Sequence, residues 1–112
     1  MEMLFRTEGD IRIIDVLDAR IDAPNALEFK ETFRTMTLNA PARVILDLTK
    51  VTFIDSSGLG AIVAAMKHLA PERQLHLAGL TGPVEKVFQL TRMDSIFRIF
   101  PTLDDALVAQ GV

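Results

Sequence analysis

The sequence predicts an α/β fold: a mixed, mostly parallel sheet of four to five strands with about four helices packed on it, formed by residues 1–112 as one domain. Three observations predict it. Short β-branched runs alternate along the chain with stretches whose apolar residues recur at helical spacing. One run, Arg43–Thr49, is apolar on both faces, as a strand covered on two sides requires. The two β-prone segments at the start flank Glu8-Gly9-Asp10, a turn signal that makes them an antiparallel hairpin at the sheet edge.

The elements follow in order. Met3–Thr7 and Ile11–Leu17 form the hairpin. Ala26, Phe29, Phe33 and Met36 lie on one helix face between charged residues, with Pro24 suited to a first helical position and Pro41 marking the end. Arg43–Thr49 is the central strand and Val51–Ile54 a short extended piece. Asp55-Ser56-Ser57-Gly58 then turns into a helix whose face is Leu59, Ile62, Val63, Met66 and Leu69, stopped by Pro71. Gln74–Leu80 is a strand, and Gly82-Pro83 opens a helix with Val84, Val87, Phe88 and Thr91 inward. Ile96–Phe100 is the last strand. Thr102 with Asp105 three residues on resembles a capping box for a closing helix facing inward through Leu103, Ala106 and Leu107.

Size and composition narrow the function classes. A chain of 112 residues buries roughly two-thirds of its unfolded surface, enough for a core without staples. With no cysteine there is no disulfide, thiolate zinc site or cysteine nucleophile. The longest apolar stretch, Leu59–Met66, is closed by Lys67 far short of the ~18 residues that span a bilayer. Met1-Glu-Met-Leu-Phe-Arg has no secretory pattern, so export is not expected. Twelve Lys and Arg against fifteen Asp and Glu, with no basic cluster and neither Trp nor Tyr, lack the footprint of a nucleic-acid binder.

Catalytic motifs are also missing. Gly58 and Gly60 give only half of a dinucleotide fingerprint, because Val63 stands where its third glycine belongs, and there is no phosphate-loop Gly-Lys-Ser/Thr. His68 and His76 have no partners at metal spacing and read as surface or half-buried residues. Ser56 and Ser57 lack the Gly-x-Ser-x-Gly elbow of a hydrolase nucleophile. Asp104-Asp105 belongs to the first turn of the closing helix, where carboxylates favour the positive end.

The informative segment is Asp55-Ser56-Ser57-Gly58-Leu59-Gly60, a strand-to-helix turn at the carboxyl end of the sheet, where α/β proteins tend to place ligands. Taken alone it reads as a helix cap, since Asp and Ser oxygens accept the free N–H groups of a first turn and the two glycines allow close backbone approach. The wider string Val44-Ile-Leu-Asp-Leu-Thr-Lys-Val-Thr-Phe-Ile-Asp-Ser-Ser-Gly-Leu-Gly-Ala-Ile-Val63 resembles the signature region of the STAS domain, in particular the anti-sigma factor antagonists of bacterial partner-switching systems. The segments Leu17–Ala26, Gln74–Leu80 and Gly82-Pro83-Val84 extend the resemblance in family order.

The resemblance implies a single STAS domain over residues 1–112, without catalytic activity or cofactor, in a cytoplasmic protein. Its partner would be an anti-sigma factor that is also a serine kinase of the histidine-kinase-like ATPase type. That kinase would phosphorylate Ser56 and so lose its grip, and a PP2C-type phosphatase would reverse the step. Asp22, Asp55, Ser56, Ser57, Gly58 and Leu59 would form the partner-binding surface, Asp22 matching a family aspartate in the neighbouring loop. In that loop the chain departs from the common Gly-x-Leu-Asp pattern, carrying Ala19-Arg20-Ile21-Asp22 instead. Nothing in the sequence demands more than a monomer. The competing function is a constitutive STAS subunit of a transporter or lipid-transport complex; members of that kind commonly lack the serine. A weaker third is nucleotide binding, suggested only by glycines at a helix start.

Overall fold

A computed structural model describes residues 1–111; Val112, the last residue of the expected domain, lies outside the described residues. The chain runs β1 (Met3–Glu8), β2 (Ile11–Val16), β3 (Arg20–Ile21), α1 (Ala26–Met36), β4 (Arg43–Asp47), β5 (Phe53–Ile54), α2 (Ser56–Leu69), β6 (Gln74–Ala78), α3 (Gly82–Leu90), a 3-10 turn (Met93–Ser95), β7 (Arg98–Phe100) and α4 (Leu103–Ala109). Five strands form one sheet in the order β1-β2-β4-β6-β7, and β3 pairs with β5 in a separate two-stranded ladder. Only β1 runs antiparallel to its neighbour. The mixed, mostly parallel sheet and its four helices are those the sequence predicts.

The two-faced apolar pattern of β4 does what was expected of it. Val44 and Leu46 join the main core, which also holds Phe29 and Phe33 of α1, Ile62 and Leu69 of α2, and Val84 and Phe88 of α3. Ile45 joins a second cluster with Ile11, Ile13, Ala78 and Phe100, against Ala106 of α4. Each face of a central strand is thus dry, the condition under which a continuous apolar run folds as a parallel strand.

The structure corrects several boundaries. Pro24 stands before α1, whose N-cap is Asn25. The strand expected to reach Leu80 stops at Ala78 because Gly79 turns the chain at φ +73°. The last strand begins at Arg98 instead of Ile96, since the Ile96 N–H bonds back to the Met93 carbonyl at 3.1 Å and closes the 3-10 turn. Thr91, expected on the inner face of α3, is its exposed C-cap, and its hydroxyl donates to the Val87 carbonyl at 2.6 Å. The ladder between β3 and β5 was not expected.

The capping box at α4 is half formed: the Thr102 hydroxyl accepts the Asp105 N–H at 3.1 Å. Replacing Thr102 by Ala is expected to cost about 1 kcal/mol, the usual loss for an N-cap, measured as a lower urea midpoint with unchanged slope.

Candidate functional site

The site is built where two strands are extended past the main sheet. After β2 and after β4 the chain bends and resumes as β3 and β5, which pair in parallel with Arg20 opposite Phe53 and Ile21 opposite Ile54. The Ala19 carbonyl accepts the N–H groups of Thr52 at 2.8 Å and Phe53 at 3.2 Å, closing the near end of this ladder. Residues 22–25 are thereby held beside the first turn of α2.

Asp55 is the residue that joins them. It sits in extended backbone as the N-cap of α2, and its Oδ1 accepts the Gly58 N–H at 2.9 Å. Its Oδ2 accepts the Ala23 N–H from the neighbouring loop at 3.0 Å. One carboxylate therefore caps a helix and anchors a loop. The hydrogen bond from the Gly58 N–H, then that from Ala23, holds its carboxyl below the usual carboxylate range. Of the residues that could have capped this helix, the structure uses Asp55. Ser56 and Ser57 occupy its first two positions, both exposed.

A depressed carboxyl pKa contributes stability that is complete above the unfolded-state value of 3.8 and is lost as pH falls through the folded value. Asp55→Asn is therefore expected to flatten the acid limb of the stability–pH curve below about pH 4. Urea unfolding at stepped pH values checks this; an acid limb parallel to that of the wild type would contradict it.

The glycines of the turn differ. A Cβ on Gly58 would collide with the Ile21 carbonyl, coming within 2.7 Å of its carbon and 3.0 Å of Ile54 Cγ1. A Cβ on Gly60 would meet nothing within 4 Å. Close backbone approach, expected of both, belongs to Gly58 alone. The same Ile21 carbonyl also faces the Asp55 N–H, at 3.4 Å. Leu59 is buried in the main core, so it fixes the rotation of α2 and leaves the serines outward.

Asp22 lies beside this turn, but its side chain is only 11% exposed and its Oδ2 accepts from Arg20 Nε at 2.8 Å. Asn25 completes the loop: its Oδ1 accepts the Asp22 N–H at 2.9 Å and its Nδ2 donates to the Arg20 carbonyl at 2.8 Å. The Arg20 guanidinium lies 4.0 Å over the ring of Phe53, which is 40% exposed. Arg20, Asn25 and Phe53 were missed in the sequence. Asn three residues after Asp was a legible loop signal, whereas the stacking of Arg20 on Phe53 depends on a ladder too short to have a period.

All six predicted residues thus converge. Ser56 and Ser57 present hydroxyls to solvent, while Asp22, Asp55, Gly58 and Leu59 hold the backbone beneath them. Among the described residues no group of three or more His, Asp or Glu is placed to hold a metal ion. His68 is exposed near the far end of α2, about 18 Å along the helix from Ser56 at 1.5 Å per residue. His76 is on β6, half-buried, within 2.9 Å of Gln110 Nε2. Neither can activate a serine here. No helix of the described residues is long and apolar enough to cross a membrane.

Comparison with known proteins gives a consistent result. The STAS domain family model matches residues 3–106. An anti-sigma-B factor antagonist of Listeria monocytogenes is 34% identical over 94 residues, covering 82% of each chain. The crystal structure of an anti-sigma factor antagonist from Mycobacterium paratuberculosis superposes with a TM-score of 0.86 at 26% identity, over 96% of this chain and 92% of that one. An anti-sigma-factor antagonist (STAS) domain protein from Planctomyces limnophilus shares the fold, at a TM-score of 0.87 and 21% identity over 98% of both chains. A family model spanning nearly the whole chain, a close curated relative and the shared architecture lead to one conclusion: this chain belongs to the STAS domain family.

Proposed function

We propose that this chain is an anti-sigma factor antagonist in a partner-switching pathway, controlled by phosphorylation of Ser56. The observation that carries the proposal is the presentation of Ser56: an exposed hydroxyl at the first position of α2, on backbone fixed by the two hydrogen bonds of Asp55. The unphosphorylated form binds an anti-sigma factor serine kinase of the histidine-kinase-like ATPase fold in the cytoplasm, and the anti-sigma factor's target is released. The kinase then modifies Ser56, and a PP2C-type phosphatase restores the binding form. In this scheme the chain is a substrate and a binding module, with no catalysis of its own. Ser56 and Ser57 meet the partner, and Asp22, Asp55, Gly58 and Leu59 keep the surface in shape.

The physics of the switch is local. A phosphate brings about −1.5 to −2 charges at neutral pH. The positive end of α2 offsets this by only ~0.3–1 kcal/mol. The Gly58 and Ala23 N–H groups are already held by Asp55, so the phosphate gains neither of them and projects outward. The fold is expected to survive while the surface around Ser56 gains negative charge.

The test is to purify the chain from its native cells and map its phosphorylation by mass spectrometry, before and after treatment with a metal-dependent PP2C-type phosphatase. Partial phosphate on Ser56 that the phosphatase removes supports the proposal. An unmodified Ser56 under every growth condition makes the turn structural only and favours a constitutive STAS subunit of a transport complex.

A further inference from the structure

The two edges of the five-stranded sheet are not alike. Strand β7 has three residues and runs directly into Pro101, so it is short and blunted. Strand β1 has six residues, no proline and an unbroken register against β2, from Met3 opposite Val16 to Glu8 opposite Ile11. It carries two of the exposed large apolar side chains of the molecule, Leu4 at 59% and Phe5 at 52%. Such an edge is a template for another strand.

The direction of its free backbone groups follows from the register. The Leu17 N–H donates to the Glu2 carbonyl at 2.9 Å, so Glu2 belongs to a hydrogen-bonded pair with β2, and so, by alternation, do Leu4, Arg6 and Glu8. The N–H and C=O groups of Met3, Phe5 and Thr7 therefore point away from the sheet.

We propose that β1 pairs antiparallel with β1 of a second copy of this chain, about a two-fold axis at Leu4. Charge selects both occupant and register. With Leu4 opposite Leu4, Glu2 faces the second copy's Arg6 twice over, and Met3 exchanges backbone hydrogen bonds with Phe5. Sliding the pairing so that Phe5 faces Phe5 sets Glu2 against Glu8. Sliding it again, to Arg6 against Arg6, sets like charges together and Leu4 against Glu8. A further step runs the pairing into the Gly9 turn and leaves Leu4 facing Asp10. Only the Leu4-centred register joins apolar to apolar and acid to base at the close, non-hydrogen-bonded positions. The two sheets become one continuous sheet, and the Ser56 turn takes no part in the contact. The interface is small and the dimer correspondingly weak.

Sedimentation velocity of the unphosphorylated chain from about 10 μM to about 1 mM, the range for so small a contact, tests this. Concentration-dependent dimerisation is expected, with amide shifts in nitrogen–proton NMR spectra concentrated at Met3, Phe5 and Thr7. Arg6→Glu and Glu2→Arg are each expected to weaken association at least ~10-fold, and the double exchange to restore it to within ~3-fold, as cross-strand charge pairing requires. A chain monomeric throughout overturns the proposal. So do concentration-dependent shifts elsewhere than β1, or an association constant that Arg6→Glu leaves unchanged. The NMR readout of the wild type decides the question even where a variant fails to fold.

Discussion

Gly58→Ala is expected to destabilise the domain by about 3 kcal/mol, at the upper end of the cost of overpacking, because the atom it strikes cannot turn aside. That atom is the Ile21 carbonyl, part of a backbone held in the β3–β5 ladder. Relief requires the first turn of α2 to lift from the ladder, which carries Ser56 with it and strains the Asp55 bonds to Gly58 and Ala23. For a domain of this size the loss corresponds to a fall of roughly 10–20 °C in melting temperature. Gly60→Ala is the control: it adds a methyl to open space in a helix and is expected to stabilise by about 0.5–1 kcal/mol. Thermal melts followed by circular dichroism separate the two. A Gly58→Ala protein melting within a degree of the wild type would contradict the packing described.

That pair of glycines also marks how far the sequence could be read. Residue type and spacing made them equivalent; only the return of Ile21, from strand β3 far earlier in the chain, distinguishes them. The same limit hid the cap. Asp and Ser are both good N-caps, and the choice of Asp55 depends on Ala23 standing opposite its second oxygen. By contrast, the helices and the central strand were legible because Phe29 and Phe33, or Val44 through Leu46, repeat at periods that local geometry imposes. The two-residue strands β3 and β5 have no period to find, so the platform of Arg20 on Phe53 had no signal of its own. The turn itself was found through the Asp-Ser-Ser-Gly-Leu-Gly string.

The largest functional effect is expected at Ser56. Under the proposed switch, Ser56→Asp is expected to weaken binding of the proposed kinase partner at least ~100-fold, and Ser56→Ala to bind within a few-fold of the wild type. A unit charge brought to ~4 Å from a carboxylate costs on the order of 4 kcal/mol at an effective dielectric of 20. If relaxation and salt remove a third of that, the remainder still corresponds to about two powers of ten in affinity. Alanine removes a hydroxyl from an exposed helical position, adds no charge and leaves the Asp55 cap intact. Calorimetric titration of each variant with the kinase checks this. Salt dependence is a second readout, because a charge-based loss shrinks as ionic strength rises. Comparison of backbone chemical shifts in the free and phosphorylated forms is expected to show changes confined to the Ser56 turn, and rearrangement of the sheet would contradict a local switch.

The central claim is that Ser56 is a switch, beyond its place in a helix turn. Affinity capture from the native host with wild type, Ser56→Ala and Ser56→Asp as baits, followed by mass spectrometry of the eluates and of the wild-type bait, tests it most directly. The expected result is an ATPase-type kinase retained by wild type and Ser56→Ala and lost with Ser56→Asp, with Ser56 of the wild type partly phosphorylated. Recovery of the same membrane-transport subunits by all three baits, with Ser56 unmodified, would contradict it.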